Sequence, residues 1–438
     1  MDKKIAIVGS GISGLAAAHA LHGSANITLF EAGSYYGGHT HTVDITLPTA
    51  KGFVTHGIDT GFLVFNERTY PHLIKLFADL NVQTAKSDMS FSVQVPQKGG
   101  QLEWSGSNLS TVFAQRSNLL NPRFWRMLGD LMRFNKLATS IAKSDIDVQL
   151  MQPLEEFLQK NNFSTEFRDW YLLPMLGCIW SCPTSQMLQF PVATMVRFCH
   201  NHGLLQVNDR PQWWTVAGGA KHYVEKIVAN IADKRLNTAV HSITRDSDSN
   251  SEGVHIATNA GTERFDKVII ATHSDQALAM LQQPSHAEKQ ALSAINYQAN
   301  TAVLHTDASV LPQRKTAWAA WNYERVQSDP NQPDTSNVCL HYLINKLQPI
   351  PFEQPVVVSL NPTKSVAPEH ILGIFDYAHP VFDLAAIKAQ ADIPALQGQQ
   401  NTYFCGAWTG YGFHEDGLKS GLAAAKQLLE DAQWQSAA

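Results

Sequence analysis

Residues 4–31 constrain this chain more than any other stretch, because a strand, a glycine turn and a helix follow one another without a gap. Ile5, Ala6, Ile7 and Val8 form a continuous apolar run, the pattern of a strand buried on both faces of a parallel sheet. Gly9-x-Gly11-x-x-Gly14 comes next, then an Ala-rich helix carrying Leu15, Ala18, His19 and Leu21. Gly9 permits the tight turn, Gly11 lets a pyrophosphate approach the backbone, and Gly14 lets helix and strand pack closely. Ile12 and Ser13 stand at the helix start, where free N–H groups and the helix dipole receive phosphate charge. A second apolar strand, Ile27 to Phe30, ends in Glu31 and Ala32. That acid stands about 20 residues past the turn, where a ribose hydroxyl is bound. The stretch marks a dinucleotide site.

Length and composition narrow the rest. A chain of 438 residues with 44% hydrophobic and 16% charged residues predicts two or three globular domains. A net charge of −5 gives nucleic-acid binding no support. No signal peptide is read, and no apolar run approaches the ~20 residues of a membrane-spanning helix. Five scattered cysteines do not form a disulfide framework, and no metal site is read from them. These features predict a reduced, cytoplasmic protein.

Beyond Glu31, Gly37 and Gly38 sit side by side, followed by His39 and Thr40. Adjacent glycines let backbone come close to a bulky ligand, and the polar residues after them can bond to phosphate or ring atoms. Arg123 to Lys136 reads as a basic amphipathic helix. Such a helix serves an anionic membrane surface, the mouth of a lipid channel or ordinary core packing. Trp170 to Trp180 is densely apolar and aromatic, as is Trp318 to Tyr323, and such segments line apolar pockets or fill cores. His341, Tyr342 and Asn345 are polar residues that could reach such a pocket.

The order GxGxxG, acid, Gly-Gly resembles the FAD-binding signature of the flavin amine oxidase and phytoene desaturase superfamily. The resemblance implies an α/β fold: a Rossmann-like FAD-binding domain of the glutathione-reductase/amine-oxidase type with an inserted α+β substrate domain. It implies non-covalent FAD, its pyrophosphate on Gly9 to Gly14 and its ribose on Glu31. NAD is the competing dinucleotide, and the downstream match decides against it. The superfamily usually has an arginine after the Gly-Gly; here His39 takes that place. Asp59-Thr60-Gly61-Phe62 matches an acid-x-Gly turn beside the flavin ring. Val240 matches the strand residue that touches the adenine side, and Ala271 and Thr272 end the strand that returns to the pyrophosphate. Gly406, Ala407, Gly417 and Leu418 match the closing strand, loop and helix, with Trp408 near the flavin ring. Trp408, Tyr411 and His414 are the candidate catalytic residues. Cys405 precedes Gly406 and does not suit covalent flavin attachment.

The match implies a discontinuous FAD domain over 1–75, 212–283 and 385–438, with substrate-binding inserts at 76–211 and 284–384. More closely, Tyr36 to Thr40, Asp59 to Phe62, Arg68 to Pro71 and Ser87 to Phe91 resemble a bacterial group of amine-oxidase-like NAD/FAD-binding proteins. Genes of that group often neighbour cyclopropane-fatty-acid-synthase-like methyltransferases, which implies an acyl substrate and a partner enzyme from the same operon. The first expectation is therefore an FAD oxidoreductase removing hydride from a small or long apolar substrate such as an acyl chain. Its rivals are amine oxidation, flavin-dependent isomerisation, and a non-catalytic FAD-binding partner of the methyltransferase. The lysine near the flavin and the aromatic cage of many amine oxidases cannot be placed; Trp408 with Tyr411 comes nearest to a cage.

Overall fold

The computed structural model describes residues 3–97, 100–143, 152–206, 210–246, 253–325 and 338–437. Five parallel strands run in the order Asp233–Arg235, Asn26–Phe30, Lys4–Val8, Lys267–Ile270 and Thr402–Phe404. Lys4–Val8 is central, and its alternating side chains enter two different cores. Ile5 and Ile7 pack with Leu15, Ala16 and Leu21 of the helix Ile12–Leu21. Ala6 and Val8 pack instead with Ile243, Ile256, Phe265 and Leu292. Burial on both faces is the physical reason the run is apolar throughout.

The helix Ile12–Leu21 lies against the C-terminal helix His414–Ala437. A Cβ on Gly421 would stand 2.1 Å from the Ser13 carbonyl oxygen, so the two backbones touch where a side chain would separate them. A three-stranded antiparallel sheet, Val240–Arg245, Val254–Thr258 and Gly261–Phe265, covers the other side of the parallel sheet. The sequence predicts a polar hairpin loop between its first two strands, and residues 247–252 of that loop lie outside the described residues.

A seven-stranded sheet forms the second layer, in the order Ile371–Val381, Asn296–His305, Val357–Leu360, Cys339–Leu343, Trp321–Glu324, Phe91–Gln97 and Gly100–Ser105. All its neighbours are antiparallel except Trp321–Glu324 with Phe91–Gln97. Helices Pro122–Ala142, Leu154–Lys160, Leu173–Trp180 and Val192–Asn201 follow the strand Gly100–Ser105 in the chain. Helix Leu173–Trp180 packs on the sheet. It ends at Ser181, whose φ of +51° breaks the helix before Cys182, so Cys178 and Cys182 do not share a helix face. All five cysteines are free and buried. Among the described residues no helix is long and apolar enough to cross a membrane.

Candidate active site

The central strand and the glycine turn open onto a cavity of about 850 Å³ that extends between the parallel sheet and the seven-stranded sheet. At its nucleotide end stand Gly9, Ser10, Gly11, Ile12, Ser13, Glu31, Ala32, Gly37 and Gly38. Gly9 has φ +101°, and a Cβ there would lie 2.8 Å from the Ala271 carbonyl oxygen. No side chain caps the helix at Gly11, its first turn holds no acidic residue, and a Cβ on Gly11 would meet open space. The helix start is therefore a set of uncapped N–H donors facing room for an anion. A dinucleotide pyrophosphate fits that cradle.

The second glycine pair docks on the first. Gly37 N–H donates to the Ser10 carbonyl at 3.1 Å, and Gly38 would bring a Cβ to 3.1 Å from Gly11 Cα. Glu31 accepts from Ser10 N (2.9 Å), Ser10 Oγ (2.5 Å) and Gly33 N (2.7 Å), so its carboxylate is fixed at the strand end. Ser10 was not singled out in the sequence; its role as a brace appears only when Glu31 folds back onto the turn.

Of the remaining sequence-derived residues, His39, Thr60, Gly61, Phe62, Val240, Ala271, Thr272, Gly406, Ala407, Trp408, Tyr411 and His414 line the cavity. Gly14, Thr40, Asp59, Gly417 and Leu418 support the wall from behind. Gly14 sits against Gly9, where a Cβ would approach the Gly9 carbonyl oxygen to 2.0 Å. Thr40 Oγ1 bonds to Tyr223 Oη at 2.5 Å. Asp59 is buried and accepts from Thr42 Oγ1 (2.5 Å), Ala220 N (2.9 Å) and Gln348 Nε2 (2.8 Å), and burial lifts its pKa to about 7. Gly417 and Leu418 pack the last helix on Ile12 and the core. Arg68 is exposed.

The three catalytic candidates differ in what they are free to do. Trp408 is 2% exposed and its Nε1 donates to the Thr272 carbonyl at 3.0 Å, joining the ends of two parallel strands. His414 is buried, stacks on Phe62 at 3.9 Å and bonds through Nε2 to Tyr223 Oη at 2.7 Å. Burial drives its pKa down to about 3, so it is a neutral packing residue at physiological pH. Tyr411 packs towards Phe198, centroids 6.0 Å apart. Cys405 is buried, with its thiol pushed up to about 12, and it does not line the cavity.

A group of histidines and tyrosines from distant parts of the chain crowds the middle of the cavity. His39, His273, His379, Tyr297 and Tyr377 all line it. His39 lies 5.0 Å from Tyr377 and 5.2 Å from His379, and its Nε2 is buried without a hydrogen-bond partner. Desolvation and the neighbouring histidines hold His39 well below its usual pKa.

Towards the seven-stranded sheet the walls become apolar and aromatic: Met89, Phe91, Met175, Ile179, Trp180, Phe198, Leu204, Trp321, Tyr342 and Leu360. Strand alternation decides which residues arrive there. Phe91, Trp321 and Tyr342 are register partners across three strands and share the cavity face. His341 is turned to the opposite face by the same alternation, where it meets Glu324 (3.1 Å) and Ser359 (2.7 Å). Asn345 staples a loop through Phe352 and Gln354 carbonyls. Of the three polar residues expected near the pocket, Tyr342 alone lines it. Glu324, Cys339 and His341 are the one group of three potential metal ligands among the described residues, and they are already bonded to one another on that far face.

His202 is the polar residue of the aromatic end that sequence reading missed. Its ring stacks on Phe198 at 3.9 Å, and Nδ1 lies 3.0 Å from the Phe198 carbonyl. A carbonyl only accepts, so Nδ1 carries the proton and Nε2 the lone pair. Burial pulls the pKa down to about 4 and fixes that neutral tautomer. Among the described lining residues Glu31 is the single Asp, Glu, Lys or Arg.

A parallel sheet carrying the glycine-turn cradle and a large, mostly antiparallel sheet enclose one long cavity between them. The chain belongs to the flavin-containing amine oxidoreductase family, which it matches over residues 12–356. It is accordingly an FAD-dependent oxidoreductase. No curated protein matches it in sequence. Among solved structures it resembles a CLA-producing fatty acid isomerase from P. acnes, with 17% identity over 97% of this chain and 98% of that one and a TM-score of 0.65. Cyclohexylamine oxidase from Brevibacterium oxydans IH-35A aligns at 16% identity over 99% and 100% of the two chains, TM-score 0.67. A putrescine oxidase mutant aligns at 15% over 98% and 99%, TM-score 0.69.

Proposed function

We propose that this protein oxidises a long, uncharged apolar substrate, an acyl chain, by removing hydride from a C–H bond. The supporting observation is the wall of the cavity: mostly aromatic and aliphatic at its far end, with Glu31, at the nucleotide end, the single Asp, Glu, Lys or Arg among the described lining residues. A protonated amine buried there would lack a counter-charge, which is costly in a low-dielectric site. FAD supplies the hydride acceptor. Gly11, Ile12 and Ser13 would hold its pyrophosphate and Glu31 its ribose, and the Phe198, Phe413 and Trp213 rings line the apolar end. Making a double bond also requires a proton to leave the neighbouring carbon, and we assign its acceptance to Nε2 of His202, which carries the lone pair when Nδ1 is bonded to the Phe198 carbonyl.

A second reading, double-bond migration without net oxidation, draws on the likeness to a fatty acid isomerase. One experiment separates the two. Anaerobic mixing of the oxidised holoenzyme with unsaturated acyl lipids is expected to bleach the visible flavin absorbance, and His202→Phe to slow the bleaching while retaining the flavin. Bleaching by amines and not by acyl lipids would overturn the proposal. Turnover of acyl lipids only after prior flavin reduction would favour the isomerase.

A further inference from the structure

The outer surface of the first insert carries a patch that the cavity does not explain. Eight large apolar side chains are exposed among the described residues, and five of them fall between residues 109 and 132: Leu109, Leu119, Leu120, Trp125 and Met132. Leu120 is 89% exposed, Leu109 78%, Met132 58% and Trp125 51%. They form neighbouring surface. Trp125 Nε1 donates to the Leu119 carbonyl at 2.9 Å, and the Trp125 ring lies 5.4 Å from Phe113, one helical turn past Leu109. Met132 lies seven residues beyond Trp125, on the same side of the helix Pro122–Ala142.

Basic residues predominate around this apolar ground. Residues 109–143 hold six Lys or Arg (Arg116, Arg123, Arg126, Arg133, Lys136 and Lys143) and one acid, Asp130, in a protein whose net charge is −5. Arg123 is drawn towards Glu166 and Arg133 towards Asp130. Arg116, Arg126 and Lys136 are exposed beside the apolar residues. An apolar face with Trp and Leu, flanked by Lys and Arg, lies in the interface of an anionic bilayer. The buried side of the same helix packs on Val192–Asn201, whose Phe198 lines the cavity. One layer of helix thus separates the patch from the apolar end of the site.

We propose that residues 109–136 dock this protein on the surface of a membrane rich in anionic phospholipid, with Leu109, Leu120, Trp125 and Met132 inserted among the acyl chains. The docking stands apart from the identity of the substrate, since it requires only the patch. Vesicles of phosphatidylcholine alone, and of phosphatidylcholine with phosphatidylglycerol, are mixed with the full-length holoenzyme and separated by flotation. The wild type is expected to float with the anionic vesicles and to be released by high salt. Leu120→Glu and Met132→Glu are each expected to weaken binding at least about tenfold, from the loss of one buried apolar side chain. Arg116→Glu with Arg126→Glu is expected to remove the preference for anionic lipid. Unchanged flavin content and melting temperature establish that the variants fold. Failure of the wild type to float, or flotation that the four substitutions leave unchanged, overturns the proposal. So does a dimer, seen by sedimentation, that Leu120→Glu dissociates, because the patch would then belong to a second copy of the chain.

Discussion

Gly9 combines a left-handed φ of +101° with a neighbour, the Ala271 carbonyl, that leaves no room for a Cβ. A methyl group there would push the turn away from the returning strand and reshape the cradle at Gly11 and Ser13. Gly9→Ala is expected to purify with flavin content reduced at least tenfold relative to wild type, read from the ratio of visible to ultraviolet absorbance, because both strain and contact oppose it. Glu31 offers a contrast. Its carboxylate was legible from spacing, yet its hydrogen bonds to Ser10 and Gly33 arise from the way the chain curls back at the strand end. The acid shapes the glycine turn as well as lining the nucleotide end of the cavity.

At the scale of elements, the C-terminal helix ties separate parts of the chain together. Gly417 and Gly421 let it lie directly on Ile12 and Ser13 at the start of the first helix. Glu415, in its first turn, accepts from His72 N (2.9 Å), Leu73 N (3.0 Å) and His72 Nδ1 (2.7 Å), and so caps the helix Pro71–Asp79 from 342 residues away in sequence. That helix has no side-chain cap of its own. Glu415→Ala is expected to cost about 1–2 kcal/mol by leaving two helix N–H groups unmet, a loss measurable by chemical denaturation. The amphipathic pattern of residues 123–136 was plain in the sequence, but not which apolar residues the fold would consume. Phe124, Met127 and Phe134 are buried, while Trp125 and Met132, on neighbouring turns, remain outside.

Over the whole molecule, burial of neutral histidines sets the response to acid. His202, His305 and His379 titrate at about 4 and His414 at about 3, each lowered chiefly by desolvation. An unfolded chain protonates its histidines near pH 6.5, so between roughly pH 6.5 and 4 the unfolded state binds more protons. Asp59, raised to about 7, and Asp416, raised to about 6, act in the opposite sense, because the folded state then holds protons that an unfolded carboxylate releases. The histidines outnumber the two acids. The melting temperature of the apoprotein is therefore expected to fall as pH drops from 7 to 4.5. A rise over that range would mean that the carboxylates govern.

The sequence by itself determined the nucleotide-binding end. A buried strand, three glycines and an acid at fixed spacing are local features, and each is required by the backbone geometry of one turn. The paired glycines at 37 and 38 carry the same kind of information. At the other end the sequence marked aromatic segments, from which Met175, Ile179, Trp180 and Trp321 line the cavity, and tertiary structure decided which of their residues face it. His202, Tyr342 and the strand that carries both Tyr377 and His379 come from separate segments and meet only after strands pair in register and helices pack. Alternation then sends Tyr342 inward and His341 outward, although the two are adjacent in the chain. A turn is written in neighbouring residues, whereas a cavity is enclosed by residues far apart in sequence, which is why one was legible in full and the other only in part.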